Sequence, residues 1–375
     1  MRSLKELRAE AGGLVEKLPY QEMADSPTIK QYVDWHRYEG YASRAPRLKG
    51  RAGPCEVLII NGWLADYDGG CGSIAVETTQ EISTTFRIED KMSARHFAAL
   101  EEVVVVRLRG TPRGVITIRA KASGDGGFAP AHVVLEASEG FAGDVAVVAD
   151  NEGNPLNSLF VEGAIGPGSS LSLATISAAG AGSSHVRLRL SVGRGAAVAA
   201  RPAVIGGYMN SVSEEYILEG PQSSLEVIGL ELGSGKSRIH HYVAAINDAE
   251  YTRGRVKLLA ASLDEAWIVQ RALGRITPKG RWSESIAEGV TYIASKSAVA
   301  VTQPILYIET GDVAGARHSA ADASLDEDKA FYLRARGISE EEFPWLITLS
   351  LVDQYLSSTT ESLEKLLRQY ISILG

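Results

Sequence analysis

Two kinds of hydrophobic pattern divide the chain. In the opening sixty residues apolar positions recur at helical spacing. In PTIKQYVDWHRYEGY, Ile29, Tyr32, Val33 and His36 fall on one face, which predicts an amphipathic helix whose aromatic stripe packs into the core. From about residue 55 the apolar positions gather into short runs rich in β-branched residues, among them CEVLII, SIAVETT, VVVVRLRG, GVITIRA and AHVVLEA, with glycine and proline between them. That is the pattern of successive strands and turns.

Turn-forming clusters recur through this region: GPG at 166–168, GRG at 193–195, EGP at 219–221, GSG at 233–235, RGR at 253–255 and PKG at 278–280. The interval of roughly twenty to thirty residues suits one coil of a β-solenoid. No helix-period segments separate the strands, so βαβ units and a Rossmann-type sheet are disfavoured. A β-sandwich reading needs two sandwiches and a linker, and no linker is visible. In a solenoid each coil buries its inward residues only against its neighbours, so its ends require caps.

The last fifty residues read as such a cap. Ser324-Leu-Asp-Glu327 and Ser339-Glu-Glu-Glu342 both match the S-x-x-E capping box, predicting two helix starts, and Gly337 stands where a glycine would end the first helix. Phe343, Leu346, Ile347, Leu349, Leu351, Val352 and Tyr355 supply the apolar face of the second helix, and SSTTESLEKLLRQYISIL supplies a final amphipathic segment. The predicted organisation is a helical region over 1–54, a β-solenoid core over 55–322 and a helical region over 323–375.

Composition narrows the function classes. With 45% hydrophobic and 22% charged residues the chain can bury a large core, which excludes long disorder. Lys+Arg number 38 against 46 Asp+Glu, a net charge of −8 without basic runs, so nucleic acid is not an expected partner. The uncharged run from Gly163 to Ser184 is rich in glycine and serine and holds Pro167, a poor lipid-facing helix, so no membrane span is expected. The charged N-terminus lacks a secretory h-region, and the expected compartment is the cytoplasm. Cys55 and Cys71 read as two ordinary thiols in a reducing compartment.

Generic catalytic signatures are absent: there is no phosphate-binding G-x-x-x-x-G-K-[ST], no H-E-x-x-H and no nucleophile elbow. His96, His132, His185, His240 and His241 lie in the region read as strands. Adjacent strand residues face opposite sides, so His240 and His241 cannot share a metal without a bulge, and structural or hydrogen-bonding roles are expected. His318 differs, since it lies in a polar segment between an apolar strand and a capped helix and reads as a histidine on a surface turn.

That segment resembles the C-terminal signature of the SufB/SufD family, scaffold subunits of the Suf iron-sulfur cluster assembly system. The likeness rests on Pro304-Ile-Leu-Tyr-Ile308, Asp312-Val313, His318-Ser-Ala320, Leu325-Asp-Glu327 and Phe331-Tyr-Leu-Arg-Ala-Arg-Gly-Ile338. ILEG at 217–220, IHH at 239–241 and SKSAVAVTQP at 295–304 extend it over roughly residues 160 to 355. The resemblance implies a mostly β fold, a right-handed parallel β-helix flanked by helical regions. SufB-type subunits carry a cysteine six residues before the proline of the last strand and a glutamate after the histidine; here those positions hold Ala298 and Ser319. One residue is inserted between Asp312-Val313 and His318. The resemblance is therefore to a SufD-like subunit.

Several expectations follow from this likeness. His318 would serve cluster assembly at a subunit interface, as iron ligand or proton acceptor. No cofactor is bound stably by the chain alone, and a transient iron-sulfur cluster forms in the complex. The partners are a SufC-like ABC ATPase and a SufB-like paralogue or a second copy. The docking helix for the ATPase carries Phe331, Tyr332, Arg334 and Arg336. The chain itself is expected to have no catalytic activity. Two other classes stay open, a structural solenoid subunit with no cluster contact and a carbohydrate-active solenoid enzyme.

Overall fold

The computed structural model describes residues 2–21, 33–41, 43–323, 327–340 and 342–371. Strict alternation sets the architecture. In Ser183–Val192, Val186, Leu188, Leu190 and Val192 point inward and are buried, while Arg187 and Arg189 point out. Each coil gives one strand to each of two facing sheets, and successive coils pair in parallel, so the apolar rows stack into one core. The first sheet has ten strands and runs to Val299–Ile308; the second has eleven and runs to Val313–Ala323. Leu156 pairs with Ser183 and Trp267 with Val299, so a coil takes 27 residues early (156 to 183) and 32 late (267 to 299). The β-solenoid expected from the strand pattern is the observed fold, and its coils pair in parallel as the family resemblance implies.

The turns after the first-sheet strands share one backbone form. Gly140, Gly168 and Gly195 have φ of +70°, +64° and +62°, and each amide donates to a carbonyl in the next coil. The equivalent positions further on hold Gln222, Tyr251 and Trp282, with φ of +64°, +61° and +60°. The glycines thus mark a conformation that L side chains adopt only at a cost. GPG, GRG, EGP and PKG sit at these corners, but RGR at 253–255 is a correction: it opens the strand Arg253–Ser262. Gly254 is there because a Cβ would meet the Ala245 side chain at 2.9 Å across the core.

The two ends differ. At the N-terminal end the sheets finish in antiparallel strands, Trp63–Tyr67 against Glu56–Ile60 and Ile74–Thr79 against Val103–Leu108. The first is a hairpin turned at Asn61-Gly62, both with positive φ, as a two-residue turn demands. Cys55 and Cys71 are bonded to each other there, with Cα atoms 5.6 Å apart, which corrects the reading of two free thiols. Sixteen positions of separation conceal a proximity that only the hairpin creates. At the other end no described strand pairs beyond Val299–Ile308 or Val313–Ala323.

Helices cover sides, not ends. Helix α1 (Leu4–Gly12), capped by Ser3 and Glu6, packs with α2 (Lys91–Ala99) against Phe160 on the outer face of the first sheet. Helix α2 and His96 on it lie inside the stretch read as strands only, a second correction: its apolar run is short and hidden among strand-like neighbours. The helix expected around residue 30 falls partly on residues outside those described; the described part is a 3-10 turn, Trp35–Tyr38, with His36 exposed.

At the C-terminus α3 (Glu327–Ala335) ends at Gly337, with φ +84° and amides of Gly337 and Ile338 donating to the carbonyls of Arg334 and Leu333. Ser324, Leu325 and Asp326 of its expected capping box fall outside the described residues, and Glu327 is the first residue of the helix. Helix α4 (Phe343–Leu356) starts later than its Ser339 box, although the Glu342 carboxylate does accept from the Ser339 amide at 2.8 Å. Helices α4 and α5 (Glu361–Ile371) place Leu351, Tyr355, Leu363 and Leu367 on the outer face of the second sheet. The buried Arg201 guanidinium fastens α4, donating to the carbonyls of Ser358 and Ala200 at 2.9 Å and to the Glu226 carboxylate at 2.7 Å. The expected cap is thus a lateral buttress, because the apolar outer rows of the second sheet offer those helices a larger apolar surface than the end does.

Candidate functional site at the open end of the solenoid

His318 lies in the strand Val313–Ala323, not on a turn, which corrects the sequence reading. Its Cα partner is Ala287, a buried residue of the core between the sheets, so His318 belongs to the inward-facing row. With no described coil beyond it, the side chain is exposed. The turn is 309–312 instead. The segment VAGARHSAADA looked like a turn because its inward positions have nothing further to cover them and need not be apolar.

Around His318 the last coil is polar. Thr291 donates to the Asp322 carboxylate at 2.5 Å on the same inward row, and Arg317 reaches Glu288 at 3.4 Å on the opposite face. Ser319 lies beside Glu288 in register, and Ala298 is buried in the turn before the last first-sheet strand. Among the described residues no group of three or more His, Cys, Asp or Glu is arranged to hold a metal ion. A neutral imidazole on an uncovered inner row can act as one ligand or as a base, with further ligands arriving from outside the chain.

Apart from the exposed His36, the other histidines are buried in two sets that the sequence could not group. Under α2, His96 bonds Ser158 at 2.9 Å and His132 at 3.3 Å, and His132 bonds the Glu162 carboxylate at 2.8 Å. Burial opposes the charge of Glu162, yet His132 and the Thr85 hydroxyl and amide outweigh it and hold the carboxyl down at about 2. Burial pushes His185 and His240 down to about 3 and His96 well below its ordinary value, so these rings are neutral. His240 contacts Ser211 on the outer face while His241 bonds Glu231 in the interior, opposite sides as the alternation requires. Burial raises the carboxyls of Glu231 and of Glu214, which accepts from Tyr216 at 2.8 Å.

Of the four residues singled out for docking, Phe331, Tyr332 and Arg334 lie on helix α3 and Arg336 directly follows its last residue. Phe331 is 68% and Tyr332 53% exposed, so neither packs against the solenoid. The Arg336 guanidinium lies 4.4 Å over the Tyr332 ring, and Arg334 pairs with Glu340. Trp345, Leu346 and Leu349 on α4 are also exposed; the sequence reading placed Leu346 and Leu349 on an apolar face and did not include Trp345. No described helix is long and apolar enough to cross a membrane.

A family model described as the SUF system FeS cluster assembly SufBD core domain matches residues 118–350, which is most of the solenoid and reaches into α4. An iron-sulfur cluster assembly SufBD family protein of Mycobacterium tuberculosis is 23% identical over 263 residues, covering 68% of this chain and 66% of that protein, just under two thirds of its length. A protein of the same description from Mycobacterium leprae is 22% identical over 276 residues, covering 72% of this chain and 70% of its own. By the extent of the core-domain match, the chain belongs to the SufBD family.

Proposed function

We propose that this chain is a SufD-like scaffold subunit that supports de novo iron-sulfur cluster assembly together with a SufB-like paralogue, or a second copy of itself, and a SufC-like ATPase. The observation that carries the reading is His318 on the inner row of an uncovered last coil: a ligand or base presented at an edge whose backbone groups are open to another chain. Ala298 and Ser319, at the positions of the SufB-type cysteine and glutamate, favour the SufD-like assignment over a SufB-like one. The cluster is cargo held between chains, and the subunit catalyses nothing by itself. The exposed aromatic and arginine side chains of α3, with Trp345 and Leu349 beside them in sequence on α4, support docking of the ATPase there.

The test is reconstitution with the paralogue and the ATPase. His318→Ala is exposed and removes no core contact, so melting should shift by no more than about 0.5 kcal/mol equivalent while iron-sulfur content falls severalfold. Normal cluster loading would refute the role of His318 and leave a structural solenoid subunit. Phe331→Ser with Tyr332→Ser should abolish co-purification of the ATPase without changing cluster-free folding; retained binding would remove the docking assignment.

A further inference from the structure

The N-terminal end of the solenoid is closed by a bond whose placement has a consequence for the fold. Cys55 immediately precedes Glu56–Ile60, a strand of the second sheet, and Cys71 stands three residues before Ile74–Thr79, the end strand of the first. A single covalent link therefore ties the N-terminal margins of both sheets, at the last parallel strand of the second and the end strand of the first. These are the only two cysteines in the chain.

The two partners are held very differently. Cys55 is fixed by its backbone: its amide donates to the Asp68 carboxylate at 2.8 Å, its carbonyl accepts from the Thr117 amide at 2.9 Å, and its φ is +54°. Those contacts do not depend on the sulfur. Cys71 sits in the loop Asp68-Gly-Gly-Cys-Gly72, where a Cβ at Gly72 would meet nothing and φ is +77°. That loop has the conformational freedom of three glycines around one thiol. Cys55 is half-buried and Cys71 is 5% exposed, so a reductant meets the Cys55 side and Cys71 is the sulfur that departs.

We propose that Cys55–Cys71 is a thiol–disulfide switch that clasps the N-terminal end of the solenoid, opened by a dithiol reductant. One thiolate of the reductant attacks the Cys55 sulfur, the Cys55–Cys71 bond breaks, and Cys71 leaves as a thiolate that takes up a proton. The second thiol of the reductant then attacks the mixed disulfide, releasing Cys55 as a thiol and closing the reductant's own disulfide, two electrons in all. Anchored Cys55 keeps its place in the open state and Cys71 swings on its glycines, so the clasp is reversible.

The experiment uses the full chain, equilibrated with excess glutathione disulfide or with dithiothreitol, and reads thiol count and amide hydrogen exchange. In the oxidised sample no thiol should react under native conditions and two should appear after reduction. Amides of 56–67 and 74–79 should then exchange at least tenfold faster, those of 209–276 should not change, and re-oxidation should restore the first rates. Two reactive thiols persisting in the oxidised sample would overturn the bond, and equal exchange in both states would overturn the clasp. Cys55→Ser, which leaves the buried Cys71 in place, should reproduce the reduced exchange pattern in the absence of any reductant; oxidised-state rates in that variant would also overturn it.

Discussion

His185 offers a measurement in which protonation alone probes the packing of the first sheet's outer face. The ring is 5% exposed, set among Trp35, Tyr38 and Phe160 at centroid distances of 6.1, 6.0 and 5.6 Å, and its Nδ1 has no hydrogen-bond partner among the described residues. Burial first, and then the nearby charges of Arg187 and Arg95, push it down to about 3 from an ordinary 6.5. The unfolded chain therefore takes up a proton between about pH 6.5 and 3 that the folded chain refuses, and the stability that the neutral ring represents is complete above the unfolded value and lost as pH falls. At about 1.4 kcal/mol per pH unit, the loss between pH 7 and pH 5 is about 2 kcal/mol. Other buried groups titrate in the same range, with Glu214 and Glu231 acting in the opposite sense, so the quantity to measure is a difference. Urea unfolding of the wild type and of His185→Gln at pH 7 and pH 5 isolates the ring, because Gln keeps polarity and does not titrate. The wild type should lose about 2 kcal/mol relative to the variant over that interval. A difference that stays constant within about 0.5 kcal/mol would mean that water or a counter-charge reaches His185, and the reasoning would fail.

Two further outcomes follow from packing. Arg201→Met removes the donor that ties the Ser358 carbonyl, just after α4, to the Ala200 and Glu226 carbonyls and the Glu226 carboxylate of the second sheet, and should cost about 3 kcal/mol in denaturant unfolding; a loss below about 1 kcal/mol would show that apolar contact and the Tyr355 hydroxyl bond to the Arg201 carbonyl suffice to hold the helix. Gly163→Ala sets a Cβ 1.8 Å from the Leu135 carbonyl oxygen of the neighbouring coil and should destabilise by at least about 3 kcal/mol, whereas Gly168→Ala, with open space and only a φ of +64° to oppose it, should cost about 1 kcal/mol; equal melting temperatures for the two would contradict the coil spacing.

The solenoid was legible because its inner rows are chemically plain. Val186, Leu188, Leu190 and Val192 alternate with polar residues, and the corners at Gly168 and Gly195 announce themselves. Legibility failed wherever a residue answers to a neighbour distant in sequence. Gly254 looks like a turn and is a close approach across the core; Cys55 and Cys71 look independent until the Asn61-Gly62 hairpin brings them together. VAGARHSAADA lacks strand character since nothing covers it, so His318 stood out by its polar setting, acquired a role through family likeness, and shows its inward placement through register alone. The tail helices were found by their caps and apolar faces, yet nothing in those faces says which surface they lie on. Arg201, which settles it, is one arginine among many in the sequence.

The unlike ends give the molecule a direction. A strand run antiparallel at the N-terminal end, with the Leu64 amide taken by the Glu102 carboxylate at 2.6 Å, is a finished margin, whereas ten- and eleven-residue parallel strands at the other end are not. A solenoid with two unfinished ends could add chains without limit, head to tail, into a filament. One with a single unfinished end can only meet another such end, and the contact uses up the joining surface of both. Contact of that kind closes at two chains instead of growing.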